Sequence, residues 1–224
     1  MSLIKHFVRI GRQQLAGSGQ QLTHAVGNAP GYEVTLDGRR LVSNAPSDTL
    51  LATLYKEHIK DYPKFYKMDP LCKVGFVASE LLLNAEGRRQ EQWGESRGVV
   101  LFNAASSLAD DRNYQATIDN IEASFPSPSL FVYTLPNVLT GEIAIRNHFF
   151  GETNFIVLPE PDSIAMASVI GMTFSDDSLQ SLVTGWVDCY DESTYDVAMF
   201  IVERDAAGHE DELSEEIKRV YLKD

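Results

Sequence analysis

Two thiols, five imidazoles and three acidic clusters are the side chains of this sequence with obvious chemical reach. Cys72 falls on an apolar helical stretch and Cys189 just past an apolar run, so each reads as a small buried or half-buried residue and not as a nucleophile. The imidazoles of His6, His24, His58, His148 and His209 are scattered and form no ligand pair. Asp110-Asp111, Asp176-Asp177 and the run from Glu210 to Glu216 read as solvated acids. None has the Asp-x-Asp-x-Asp-Gly spacing of a calcium loop, and the cysteines and histidines lack zinc spacing. No glycine-rich nucleotide loop and no Gly-x-Ser-x-Gly elbow occurs. No metal and no cofactor is expected.

These groups must be held by a chain of 224 residues, 44% hydrophobic, with 19 Lys+Arg against 32 Asp+Glu and a net charge of −13. That length suits one domain over residues 1–224, since no linker or repeat divides it. The charge disfavours nucleic acid and anionic membranes, which are bound through Lys and Arg stripes. No apolar run is long enough to span a bilayer, and Lys5, His6, Arg9 and Arg12 break up any signal-peptide core. With only two cysteines, the expected place is the cytoplasm.

Residues 17–47 carry turn signals and read as irregular, with a short hairpin around Asp37-Gly38. From Asp48 the pattern becomes regular. Leu50, Leu51, Leu54 and Tyr55 predict one helix, and Leu71, Val74, Val77, Ala78 and Leu81 a second over 70–83. Residues 98–102 form a continuous apolar run, the mark of a strand buried on both faces. Residues 106–123 read as loop then helix, 130–134 as a short extended segment, and 137–148 as a helix. Strands at 154–158, 182–187 and 197–202 then alternate with helices over 162–174 and through Leu213, Ile217, Val220 and Tyr221. The class is α/β, a layered mixed sheet with helices on both faces and an antiparallel component near its end.

On physical grounds the stretch from Thr134 to Arg146 is an extended segment stopped by Pro136, with Asn137 as helix N-cap. Gly141 leaves room for another backbone, and Glu142 and Arg146 are spaced to pair. The same stretch, from Pro126 through Leu135-Pro136-Asn137 and Gly141-Glu142-Ile143-Ala144-Ile145-Arg146 to Gly151-Glu152, is similar to the β-ketoacyl-acyl-carrier-protein synthases. These are condensing enzymes of the thiolase fold. Leu182-Val183-Thr184-Gly185-Trp186-Val187-Asp188 resembles the family's strand ending in a glycine pair and an acid. The resemblance is good over 66–188 and covers only the N-terminal half of such an enzyme.

The departures from that family matter most. Counting from Gly151 and back from Gly185 places the family's nucleophilic Cys on Glu160, in Leu158-Pro159-Glu160-Pro161-Asp162-Ser163. The resemblance implies a thiolate at the N-terminus of a buried helix, where free N–H groups favour negative charge. A carboxylate suits the same field but is a poor acyl-transfer nucleophile. Glu160 and Asp162 read equally as ordinary acids at a helix start, with Pro161 in the first helical position. The family's two catalytic histidines lie in its second half, and only His209 follows Glu160 here. By the same resemblance Pro136, Asn137 and Gly185 are candidate pocket residues, and Asn154, Phe155, Ile156, Val157 and Leu158 are the candidate interface strand.

The helix after Glu160 carries Ile164, Ala165, Met166, Ala167, Val169, Ile170, Met172 and Phe174 and is apolar on nearly every face, which predicts burial all round. A solitary half would expose one side to a partner or to local elements. The resemblance therefore implies a catalytically inactive, chain-length-factor-like subunit of a fatty-acid, polyketide or polyene synthase. Its expected partner is a full-length β-ketoacyl synthase or a second copy of itself, with an acyl carrier protein as a further candidate. Two alternatives stand beside it: an acyl-thioester hydrolase or decarboxylase using a buried Glu160 as general base, and a non-catalytic module binding an acyl chain or carrier protein.

Overall fold

A computed structural model describes residues 2–12, 31–87, 94–119, 126–191 and 193–221. In chain order the elements are β1 (Ile4–Arg12), β2 (Tyr32–Leu36), β3 (Arg39–Ala45), α1 (Ser47–Leu54), α2 (Pro70–Glu86), β4 (Arg97–Asn103) and α3 (Leu108–Ala116). They continue with α4 (Pro128–Tyr133), α5 (Val138–Asn147), β5 (Thr153–Val157), α6 (Ser163–Thr173), β6 (Ser181–Asp191), β7 (Thr194–Glu203) and α7 (Glu210–Tyr221).

The strands form one seven-stranded sheet in the order β3-β2-β1-β7-β6-β4-β5. β4 runs parallel to both β5 and β6, while β6 and β7 pair antiparallel, as do β7 with β1 and the added β2-β3 hairpin. Parallel neighbours need helical crossovers, and α3 to α5 and then α6 supply them.

Alternation along the central strands feeds two cores. Val99, Leu101, Val183, Val187 and Met199 face α2 and α5, meeting Val77 and Ile143. Val100, Phe102, Leu182, Trp186 and Phe200 face the other way, toward α6 and α7, meeting Met166, Ile170 and Ile217. Helices thus cover both faces, as the apolar runs predict. Helix α2 starts where Asp69 accepts from the Cys72 N–H at 3.1 Å with Pro70 in the first turn, and stops at Gly87 in the left-handed region.

Several local expectations are corrected. The segment 130–134 is not extended: Ser127 accepts from the Leu130 N–H and Pro128 opens the first turn of α4, so a Ser-Pro start overrides the β-preference of Phe131, Val132 and Tyr133. The Asp37-Gly38 turn is present, with positive φ at both residues, but the flanking residues 32–45 are ordered strands that extend the sheet from β1. Residues 17–30 and 120–123 of the sequence reading lie outside the described residues.

Asn137 occupies the cap position of α5 without a side-chain cap bond. Glu142 does not pair with Arg146: Glu142 binds Lys64 at 2.5 Å, and Arg146 binds Asp61 at 2.6 Å and Glu80 at 3.3 Å. Each finds a partner on α2 or the segment before it. A Cβ on Gly141 would meet nothing within 4 Å, so this glycine packs against no backbone. Gly141→Ala is therefore expected to raise stability by about 0.5–1 kcal/mol through helix propensity, measured as a higher urea midpoint.

Candidate functional site

The connection from β5 to α6 is built in three steps. The Leu158 N–H donates to the Asn103 carbonyl at 2.8 Å, which holds the chain to the end of β4. Pro159 and Pro161 then bracket Glu160, and Asp162 caps α6 by accepting from the Ile164 and Ala165 N–H groups at 3.0 and 3.1 Å. Pro161 therefore lies outside the helix, before the cap, and not at its first position. Asp162 thus satisfies two of the first-turn N–H groups that would otherwise attract an anion.

Glu160 sits exposed at the mouth of a cavity of about 440 Å³ between α6, α7 and the sheet. Its walls are Met166, Trp186, Phe200, Ile217 and Tyr221. Ser163 and Ser214 share a hydrogen bond of 3.0 Å that joins the two helices at the rim. Tyr221 stands on the far wall, its hydroxyl donating to Asp196 while the Arg9 guanidinium lies over its ring at 5.2 Å. Burial, followed by that bond to Asp196, raises the phenol above its ordinary range, so it stays a neutral donor. The burial on which a general-base role for Glu160 depends is absent.

No cysteine or histidine lines this cavity. Cys72 and Cys189 are both buried in the opposite core, where desolvation raises each thiol. His6 pairs with Asp37 at 2.8 Å, and His148 ends α5 in the left-handed region. Among the described residues no group of three or more His, Cys, Asp or Glu side chains is placed to hold a metal ion, and no helix is long and apolar enough to cross a membrane.

Pro136 and Asn137 precede α5, and Gly185 lies at the centre of the sheet on β6; none of the three lines the cavity beside Glu160. Asp188, the acid at the end of the strand motif, is fully buried. It accepts from the Ala104 and Ala105 N–H groups and from the Tyr190 hydroxyl, tying the turn after β4 to β6. Helix α6 is not buried all round. Met166, Ala167 and Ile170 face the core, while Ile164 is 73% and Met172 63% exposed. Helix α7 packs along one flank and leaves that outer stripe open.

Among the described residues β5 is a sheet edge, hydrogen-bonded to β4 on one side, with Asn154 and Val157 exposed and Phe155 and Ile156 partly covered. No family model matches the chain. No curated protein matches it either. Among solved structures, "The ishigamide ketosynthase/chain length factor" is similar at 19% identity and a TM-score of 0.53, over 66% of this chain and 47% of that one. The fold is ketosynthase-like. The chain spans about half the length of that ketosynthase/chain length factor, 47% of it. Two further structures are similar. A ketosynthase in complex with its chain length factor from Xenorhabdus doucetiae aligns at 13% identity and TM-score 0.46, over 70% of this chain and 71% of that chain. A type II PKS acyl-carrier protein in complex with its ketosynthase bound to the hexaketide aligns at 14% and 0.48, over 75% and 60%.

The ketosynthase-like fold accounts for what residue spacing misses. Tyr221 and Ile217 come to Glu160 only because α7 returns to the same sheet face as α6, a contact between segments distant in sequence. The signal available beforehand was the strict pattern of Leu213, Ile217 and Val220, which marks one buried helix face but not its neighbour.

Proposed function

We propose that this chain is a chain-length-factor-like subunit that pairs with a full-length ketosynthase in the cytoplasm and performs no acyl condensation itself. The observation that carries this reading is the cavity at Glu160: the residue onto which counting along the sequence puts the family's thiol is an exposed carboxylate, and neither thiol nor imidazole lines the space. Acyl transfer needs a nucleophile and a base within reach of one another. An apolar cavity without them suits shaping or holding a chain, and it favours the reading as an acyl-binding module over that of a hydrolase. The open edge of β5 supports pairing, since an unpaired strand presents N–H and C=O groups that a second sheet can satisfy. The exposed Ile164 and Met172 on α6 add an apolar stripe beside it.

The test is co-expression with full-length ketosynthases, beginning with any encoded beside it, followed by analytical ultracentrifugation. A one-to-one complex is expected, and Val157→Lys on β5 should dissociate it without lowering the melting temperature of the free chain. A monomer that co-purifies with no synthase would overturn the reading. In a parallel assay on malonyl and acyl thioesters, wild type and Glu160→Gln are both expected to give no turnover above buffer. Turnover lost in Glu160→Gln would instead make the chain an enzyme.

A further inference from the structure

A second cleft, of about 540 Å³, opens on the other side of the sheet from the cavity at Glu160. One wall is made by Leu51 on α1, with Phe65 and Pro70 on the approach to α2. The opposite wall is made by Asp110 and Asn113 on α3 and by Leu130 and Tyr133 on α4. This second wall is thinly anchored. Helix α3 buries two of its residues, Ala109 and Asp110, and α4 buries none. Helix α4 leans on α3 through Phe131 and Tyr114, whose rings lie 5.4 Å apart, and the Ser107 hydroxyl ahead of α3 donates to the Thr134 carbonyl at the end of α4. A segment with so few buried apolar contacts opens more readily than the central strands.

Asp110 is therefore the polar group by which the wall is held. It is 4% exposed, and its carboxyl is hydrogen-bonded to that of Asp69, itself 8% exposed, which caps α2 through Oδ2 and accepts from the Cys72 thiol. Among the described residues no N–H reaches Asp69 Oδ1 or Asp110 Oδ2. Two carboxylates have no hydrogen to share, so the bond between the start of α2 and α3 exists only while the pair holds a proton. Burial and then the Asp69 charge raise Asp110 to about 8, and Asp111 on the same helix pushes the same way. Cys72 on α2 and Cys189 on β6 adjoin the pair, with Tyr133 on α4 and Tyr195 on β7 along the cleft; burial raises all four and keeps them neutral. Asp48, Lys67 and Lys73 supply the other charges of the cleft walls, and Glu142 bears on Cys72 and Tyr133 from α5.

We propose that the proton shared by Asp69 and Asp110 is a latch: it docks the α3–α4 wall against the start of α2, and its loss to solvent at raised pH releases that wall and opens the cleft. In the released wall Asp110 meets water and keeps its proton only to about pH 4, the ordinary carboxyl range, whereas in the latched wall it keeps it to about pH 8. The ratio of latched to released wall is therefore greatest below about pH 4, falls about tenfold per unit between about 4 and 8, and levels above that. The latch lies in the opposite core from the cavity at Glu160 and stands or falls independently of the ketosynthase reading.

The experiment is hydrogen–deuterium exchange of the full chain between about pH 6 and 8.5, read by mass spectrometry on α3 and α7 and corrected for the intrinsic chemical rate. Protection of α3 should fall about a hundredfold from about pH 6 to 8, while that of α7, in the other core, stays level. Asp110→Asn sets an amide against Asp69 that donates without titrating, so its α3 protection should be flat with pH and at least about tenfold above wild type at the alkaline end. Asp69→Asn donates to Asp110 while its oxygen still caps α2, and should give the same flat profile; circular dichroism checks that each variant is folded, and either one suffices for the comparison. Flat α3 protection in the wild type, an equal fall in α7, or a wild-type slope in a folded Asn variant would each overturn the proposal.

Discussion

Gly185→Ala should cost the fold roughly 3–5 kcal/mol, as a strained backbone and an overpacked core add together. Gly185 holds φ at +135°, a conformation that L side chains rarely adopt. The added methyl would also drive into the Ala198 carbonyl and the Cα of Met199 on β7, and these are backbone atoms that no rotamer change can move aside. β7 cannot retreat, because it is hydrogen-bonded to β6 on one side and β1 on the other, and β6 is itself held by β4. Urea denaturation should show a much lower midpoint with the slope retained, and much of the protein should be insoluble on expression. A variant within about 1 kcal/mol of wild type would refute this account. The result also bears on function, since Gly185 was singled out by resemblance as a pocket residue. In this fold it is where two central strands approach closely, and its position alone accounts for the glycine.

The same distinction decides what could be read from sequence. Strands β4, β6 and β7 were legible because Val99 to Phe102, Leu182 to Val187 and Val197 to Val202 are buried on both faces and so appear as unbroken apolar runs. β1 was not, because its pattern of Phe7, Val8 and Ile10 among Lys5, His6 and Arg9 serves a strand whose charged side chains bind across the sheet, Arg9 to Asp196 and Lys5 to Glu203. The Glu160 connection was placed correctly between a strand and a helix, but its exposure depends on two prolines and on how far α7 reaches. Asp110-Asp111 was read as a solvated pair. Asp111 is exposed, while Asp110 turns inward to an acid from a different helix, and adjacency in sequence says nothing about such a partner. The run from Glu210 to Glu216 divides in the same way. Asp211 and Glu212 face water, whereas Glu216 accepts from the Leu3 and Ile4 N–H groups and fastens the start of β1.

Glu86→Ala should be the most damaging change outside the central strands, at about 3–5 kcal/mol, because it withdraws the carboxylate from a guanidinium that has no exposed surface. Arg97 opens β4, and its Nη1 and Nη2 each meet a Glu86 oxygen at 2.6 Å, a two-pronged pairing at the C-terminal end of α2. Nη2 also donates to the Ser181 hydroxyl on β6 at 2.9 Å, and the group lies over the Phe149 ring at 5.5 Å. Those contacts survive in the variant but do not replace the two short bonds to the Glu86 carboxylate. Glu86→Gln should fall between, keeping one acceptor while losing the charge. Replacing both partners at once, Glu86→Leu with Arg97→Met, should cost far less than either charge left alone, within about 2 kcal/mol of wild type, since no ion is then desolvated. The two single losses should hardly respond to added salt, because bulk ions do not screen a pair removed from solvent. A salt-sensitive Glu86→Ala loss below about 1 kcal/mol would mean that the pair is wet, like a surface bridge. The consequence reaches the proposed interface: among the described residues β4 is the one strand to which β5 is bonded, so loosening its anchorage to α2 should weaken the β5 edge and any complex formed through it.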